Sequence, residues 1–103
     1  MTVKTAIGFS MRAGKCMSGD FVCEKTIKSN KARIVILDTQ ASDATKERYV
    51  RLCESKGIDC LFVEGMGEII GKSGRMVAVV SDIKFANMIC EAYKQGNNHG
   101  GVC

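Results

Sequence analysis

Three groups of residues in this 103-residue chain have the types and spacing to do chemistry: six cysteines, two stretches where glycine, lysine and serine meet, and one dense run of cations. The cysteines stand at 16, 23, 53, 60, 90 and 103, with no C-x-x-C among them and no second thiol within metal-ligand reach, a spacing that does not suit zinc. Cys23 and Cys53 fall among apolar neighbours, where a reduced thiol packs as a small hydrophobe. The single histidine, His99, lies in the tail G-N-N-H-G-G-V-C and with Cys103 makes at best a two-ligand site. A cysteine nucleophile therefore lacks its usual base, and no pair of carboxylates is brought together by spacing. The sequence assigns no catalytic residue, no metal and no cofactor.

The glycine-lysine-serine stretches must be tested as phosphate loops. In G-F-S-M-R-A-G-K-C, from Gly8, five residues separate the glycines, no strand precedes, and Cys16 stands where a magnesium-holding hydroxyl is needed. In G-M-G-E-I-I-G-K-S, from Gly65, the spacing is again one too long, and Gly71-Lys72-Ser73 follows a short helix instead of opening one. Amide donors and the positive dipole end of a helix then point elsewhere. The same stretch is one residue off the dinucleotide fingerprint. An enzyme binding a nucleotide or small molecule would need a deep pocket at the strand ends near 38–40 or 65–67.

The cations are more informative. Segment 12–33 holds six basic residues (Arg12, Lys15, Lys25, Lys28, Lys31, Arg33) against Asp20 and Glu24, which equals the whole +4 net charge of the chain. A localised basic field on an otherwise balanced chain suits a polyanion, and the plainer alternative is a solvated lysine-rich helix face.

The elements that position these residues follow from periodicity. At 103 residues and 46% hydrophobic content the chain suits one compact domain over 1–95, with 96–103 reading as a disordered tail. No run approaches the roughly 18 apolar residues of a membrane helix, and the charged start does not resemble a signal peptide, so a cytoplasmic location is expected. Val3, Ala6, Ile7 and Met11 recur at helical spacing until Gly14. A second helix opens at Ser18 as N-cap, with Asp20 in its first turn, and runs to about Ser29 or Asn30. R-I-V-I-L at 33–37 reads as a buried central strand. Ser42 caps a third helix, with Tyr49, Leu52 and Cys53 on one face, which Gly57 ends. Strands at 60–63 and 76–80, a short helix at 66–70, and a last helix with Phe85, Met88, Ile89 and Ala92 inward complete an alternation that implies a sheet covered on both faces.

Four blocks taken together, I-G-F-S-M-R-A-G-K-C-M-S-G-D at 7–20, K-A-R-I-V-I-L-D-T-Q-A-S at 31–42, T-K-E-R-Y-V-R-L-C at 45–53 and M-G-E-I-I-G-K-S-G-R-M-V-A-V-V-S-D at 66–82, resemble the kink-turn RNA-binding ribosomal proteins. This is the superfamily of archaeal L-seven-Ae and eukaryotic L-thirty, and the likeness is greatest to its small bacterial YlxQ-type branch. The resemblance implies a three-layer α-β-α sandwich with a four-stranded mixed sheet, an extra short strand lying near 15–17. It also implies a non-catalytic, ribosome-associated protein binding structured RNA, ribosomal RNA first, with other ribosome-associated proteins as neighbours. Family members bind RNA at the start of the second helix and through the loop before the last strand, here 19–28 and 71–76. One wall then comprises Lys15, Ser18, Gly19, Asp20 and Phe21, with Lys25, Lys28 and Lys31 supplying charge on the same helix. Lys72, Ser73, Gly74, Arg75 and Met76 form the other, Met76 reading equally well as the first residue of a buried strand.

Strong kink-turn binders carry an Asn-Glu pair, used to read tandem G·A pairs, where this chain has Phe21 and Val22. Val22 reads as continuing the core. Phe21 either packs on the protein, the favoured reading, or stacks on a base. A protein-interaction adaptor on the same fold is the alternative and would expose a sizeable apolar patch.

Overall fold

A computed structural model of the chain describes residues 1–96; the tail segment 97–103, with His99 and Cys103, lies outside the described residues. The elements are α1 (Val3–Arg12), β1 (Cys16–Ser18), α2 (Asp20–Lys28), β2 (Ile34–Asp38), α3 (Asp43–Lys56), β3 (Asp59–Val63), α4 (Met66–Ile70), β4 (Val77–Val80) and α5 (Ile83–Gln95). The strands form one mixed sheet in the order β1-β4-β2-β3, with β2 parallel to β3 and the other two pairs antiparallel.

The sheet is the middle of three layers because β2 and β4 are apolar on both faces. Successive strand side chains point to opposite faces. Ile34 and Ile36 therefore join Ala78 and Val80 in one core under α1, α4 and α5, while Val35 and Leu37 join Val77 and Val79 in a second core under α2 and α3. The second core also takes in Cys23, Tyr49, Cys53 and Cys60. Cys16, Cys23, Cys53 and Cys60 are buried free thiols. Burial pushes the Cys23 thiol up to about 12 and raises Cys16 as well.

Local chemistry sets the element ends. Thr2 caps α1 and Ser42 caps α3, each accepting from a backbone N–H three residues on. Gly57 closes α3 with φ +68°, a conformation that favours glycine.

Four expectations change. Ser18 does not cap α2: it is the last residue of β1, paired with Ala78, so its backbone is committed to the ladder and the turn into the helix falls on Gly19. Lys31 lies beyond α2, which ends at Lys28 and is closed by Asn30 at φ +64°. β4 starts at Val77, leaving Met76 half-buried in the preceding loop. In α5, Phe85 and Met88 are only half-buried, and Ala86, Ile89, Ala92 and Tyr93 form the buried stripe.

Candidate functional site

The short strand β1 delivers the chain to α2 across the N-terminal end of β4, where the Gly19 amide donates to the Val77 carbonyl at 3.2 Å. Gly19 takes φ +104° and ψ +144° and offers no side-chain cap. The amides of Asp20, Phe21 and Val22 consequently have no acceptor among the described residues. Such orphan donors, at the positive end of a helix dipole, form an anion-binding surface.

The loop 71–76 is folded against this helix start. Gly71 leaves α4 at φ +75°, the Lys72 amide returns to the Gly67 carbonyl at 2.8 Å, and the Arg75 amide closes a turn on the Lys72 carbonyl at 3.3 Å. Gly67 makes that packing possible, since a Cβ there would lie 2.9 Å from the Lys72 carbonyl oxygen and 3.2 Å from the Gly74 amide. The loop then lays the Arg75 guanidinium on the face of Gly19, where a Cβ would overlap Nη1 outright. A shallow cleft of ≈ 310 Å³ separates the two walls, lined among others by Gly19, Asp20, Thr45, Arg75 and Met76.

The acidic residues of the basic segment are neutralised from another element. Arg48 on α3 bonds Asp20 at 2.7 Å and Glu24 at 2.8 Å, and Lys28 bonds Glu24 at 2.8 Å. The Tyr49 hydroxyl is 3.0 Å from the Asp20 carbonyl oxygen and also bonds its carboxylate. The Arg48 guanidinium lies 4.7 Å over the Tyr49 ring. Tyr49 first, then Arg48, hold the Asp20 carboxyl below the usual aspartate range. Sequence reasoning does not place Arg48 and Tyr49 at this site. They act across 28 and 29 residues of sequence, and neither has a local signal for that contact.

The structure brings together Gly19, Asp20, Gly74, Arg75 and Met76, with Lys72 and Ser73 exposed on the same loop, whereas Phe21 lines a separate strip along α2 with Lys25 and Lys28. Phe21, Lys25 and Lys28 follow one another along α2 at spacings of four and three residues, which is one face of a helix. Phe21 is 79% exposed and Val22 41%, so neither packs in the core. Lys15 and Lys31 are not part of this grouping. Lys15 precedes β1 and accepts from Ser81 at the opposite end of β4, about 13 Å along an extended chain from Gly19. Lys31 follows the far end of α2. Ser18 points no cap at the helix; its Oγ is buried and without a hydrogen-bond partner among the described residues.

The strand ends near Asp38 have a structural explanation. Asp38, 3% exposed, accepts from the Gln40 amide at 2.8 Å and the Met66 amide at 2.9 Å, which anchors the start of α4 beneath the loop. No group of three potential metal ligands occurs among the described residues, and no described helix is long and apolar enough to cross a membrane.

Fold and site define a small α-β-α sandwich that presents an uncapped helix N-terminus beside a glycine-hinged basic loop. The chain belongs to the ribosomal protein L7Ae/L30e/S12e/Gadd45 family, whose model matches residues 1–91. It is 33% identical over 86 residues to the RNA-binding protein YlxQ of Bacillus subtilis (strain 168), covering 81% of this chain and 86% of that protein. Its identity to the RNA-binding protein YlxQ of Enterococcus faecium is 32% over 79 residues, covering 74% and 77%. A protein of unknown function from Bacillus halodurans C superposes with a TM-score of 0.84 at 25% identity, over 89% of this chain and 96% of that one. The Giardia lamblia 15.5kD RNA binding protein shares the fold, with a TM-score of 0.73 at 19% identity over 89% and 82%.

Proposed function

We propose that this chain is a non-catalytic, cytoplasmic RNA-binding protein that holds structured, kink-turn-like RNA between the start of α2 and the loop 71–76, in association with the ribosome. The observation that carries the reading is the convergence of the free 20–22 amides with the Arg75 guanidinium on Gly19. It is supported by family membership and by two relatives named as RNA-binding proteins. Backbone amides and cations meet phosphates, and a bent RNA brings phosphates of two strands to both walls at once.

With Phe21 and Val22 in place of an Asn-Glu pair, the protein has no carboxamide or carboxylate there to read tandem G·A edges. Phosphate and shape contacts then dominate, and affinity for a standard kink-turn is lower than in archaeal relatives. The test is a filter-binding titration of a kink-turn RNA at several salt concentrations. The double variant Lys25→Glu/Lys28→Glu should weaken binding and flatten the slope of log affinity against log salt by about 1.5 to 2, one phosphate contact per lysine. Unchanged affinity and slope would remove α2 from the interface.

A further inference from the structure

Phe21 is the most exposed large apolar side chain among the described residues, ahead of Met1 at 63% and Ile83 at 55%. It stands in the first turn of α2, directly beside the free amides of 20–22. A concave strip of ≈ 550 Å³ runs from it along the helix, lined by Phe21, Glu24, Lys25, Lys28 and Ser29. Glu24 is engaged by Arg48 and Lys28, whereas Lys25 makes no ion pair among the described residues. The Glu24–Lys28 pair is exposed, and such pairs yield readily to a competing anion.

Val22, the other exposed apolar residue here, is turned about 100° around the helix from Phe21. The two therefore form no continuous apolar patch of the kind that docks a protein. A single ring followed by cations at successive helical turns matches the way single-stranded nucleic acid is held: a base stacks on the ring and lysines track the phosphates.

We propose that Phe21 is the platform on which one unpaired nucleobase of the bound RNA stacks, the adjoining single-stranded phosphates running along Lys25 and Lys28. Selection is then for an unpaired nucleotide beside a stem, in place of base-pair edge reading. This rests on the RNA-binding reading of the surface.

The chain contains no tryptophan, so Phe21→Trp places its only indole, which can be excited apart from the two tyrosines, at the proposed platform. Two RNA probes suffice: a stem with one bulged 2-aminopurine, and the same stem with the bulge deleted. Phe21→Ala and Phe21→Leu should each lose about 5- to 100-fold in affinity for the bulged stem and almost nothing for the paired one. Phe21→Trp should retain affinity and be quenched only by the bulged stem. Circular dichroism melts matching wild type would establish that the variants fold, as an exposed side chain predicts. If wild type binds RNA but Phe21→Ala keeps wild-type affinity for the bulged stem, or Phe21→Leu keeps the wild-type preference for the bulge, stacking is wrong and the RNA-binding reading stands. If wild type binds neither these stems nor a kink-turn RNA, that reading falls and the stacking proposal with it.

Discussion

Replacing Gly19 with alanine tests the joint on which the site depends. At φ +104° and ψ +144° the residue occupies backbone space in which any side chain is strained; holding alanine there costs about 1–3 kcal/mol. The new Cβ also overlaps Arg75 Nη1. That atom ends a flexible side chain, so the overlap is relieved by swinging the guanidinium away, and the stability loss is mainly the backbone strain. For a domain of this size 1 kcal/mol corresponds to about 4–8 °C in Tm, so Gly19→Ala should lower Tm by about 4–24 °C. Gly8 is the internal control: it lies inside α1, where an added methyl group would have nothing within 4 Å, and Gly8→Ala should stabilise by about 0.5–1 kcal/mol through helix propensity. Urea unfolding of both variants, with unchanged m, reads the two effects. RNA affinity of Gly19→Ala should fall as far as that of Arg75→Ala, because both remove the guanidinium from the helix start. A Gly19→Ala variant within about 0.5 kcal/mol of wild type, or both glycines responding with the same sign, would refute the strained-joint account.

Three further outcomes follow from the same geometry. Gly67→Ala sets a methyl against backbone atoms at 2.9 and 3.2 Å, so the loop itself must move; it should cost about 1–3 kcal/mol and speed amide exchange at Lys72 and Arg75, which hydrogen-exchange mass spectrometry resolves. The Asp20 carboxyl is held low by Tyr49 and Arg48, so the stability it contributes is present above the ordinary aspartate pKa of about 3.9 and is lost as pH falls through its lower folded value. Asp20→Asn should therefore flatten the acid limb of urea midpoints measured between about pH 6 and 2, and identical profiles would exclude the contribution. Cys16 and Cys23 are buried with raised pKa values, Cys23 at about 12, so at about pH 8 alkylation mapped by mass spectrometry should leave both unmodified until denaturant is added.

Much of the fold could be read residue by residue because the deciding forces are local. The run I-V-I-L at 34–37 has too many β-branched neighbours and too little polarity for anything but a covered strand, and it feeds both cores in alternation. Gly57 and Ser42 act through their own backbone and hydroxyl. β1 is only three residues long and carries no periodicity, so it is legible only through family resemblance; it is also what displaces Ser18 from the cap position, since a ladder with β4 overrides a capping preference. Phe21 reads inward only if apolar residues are assumed to be buried, a rule that runs in one direction. The contacts of Arg48 with Asp20 and of Arg75 with Gly19 join residues 28 and 56 positions apart, and only the assembled layers bring them together.

The central claim is that RNA is held between the start of α2 and the loop 71–76. Amide chemical shifts followed by NMR during titration with a kink-turn RNA test it most directly. Gly19, Asp20, Phe21 and Val22 should shift together with Lys72, Ser73 and Arg75, while Lys84, Asn87 and Glu91 on the exposed side of α5 stay in place. Shifts confined to α5 or spread evenly over the surface would contradict the account.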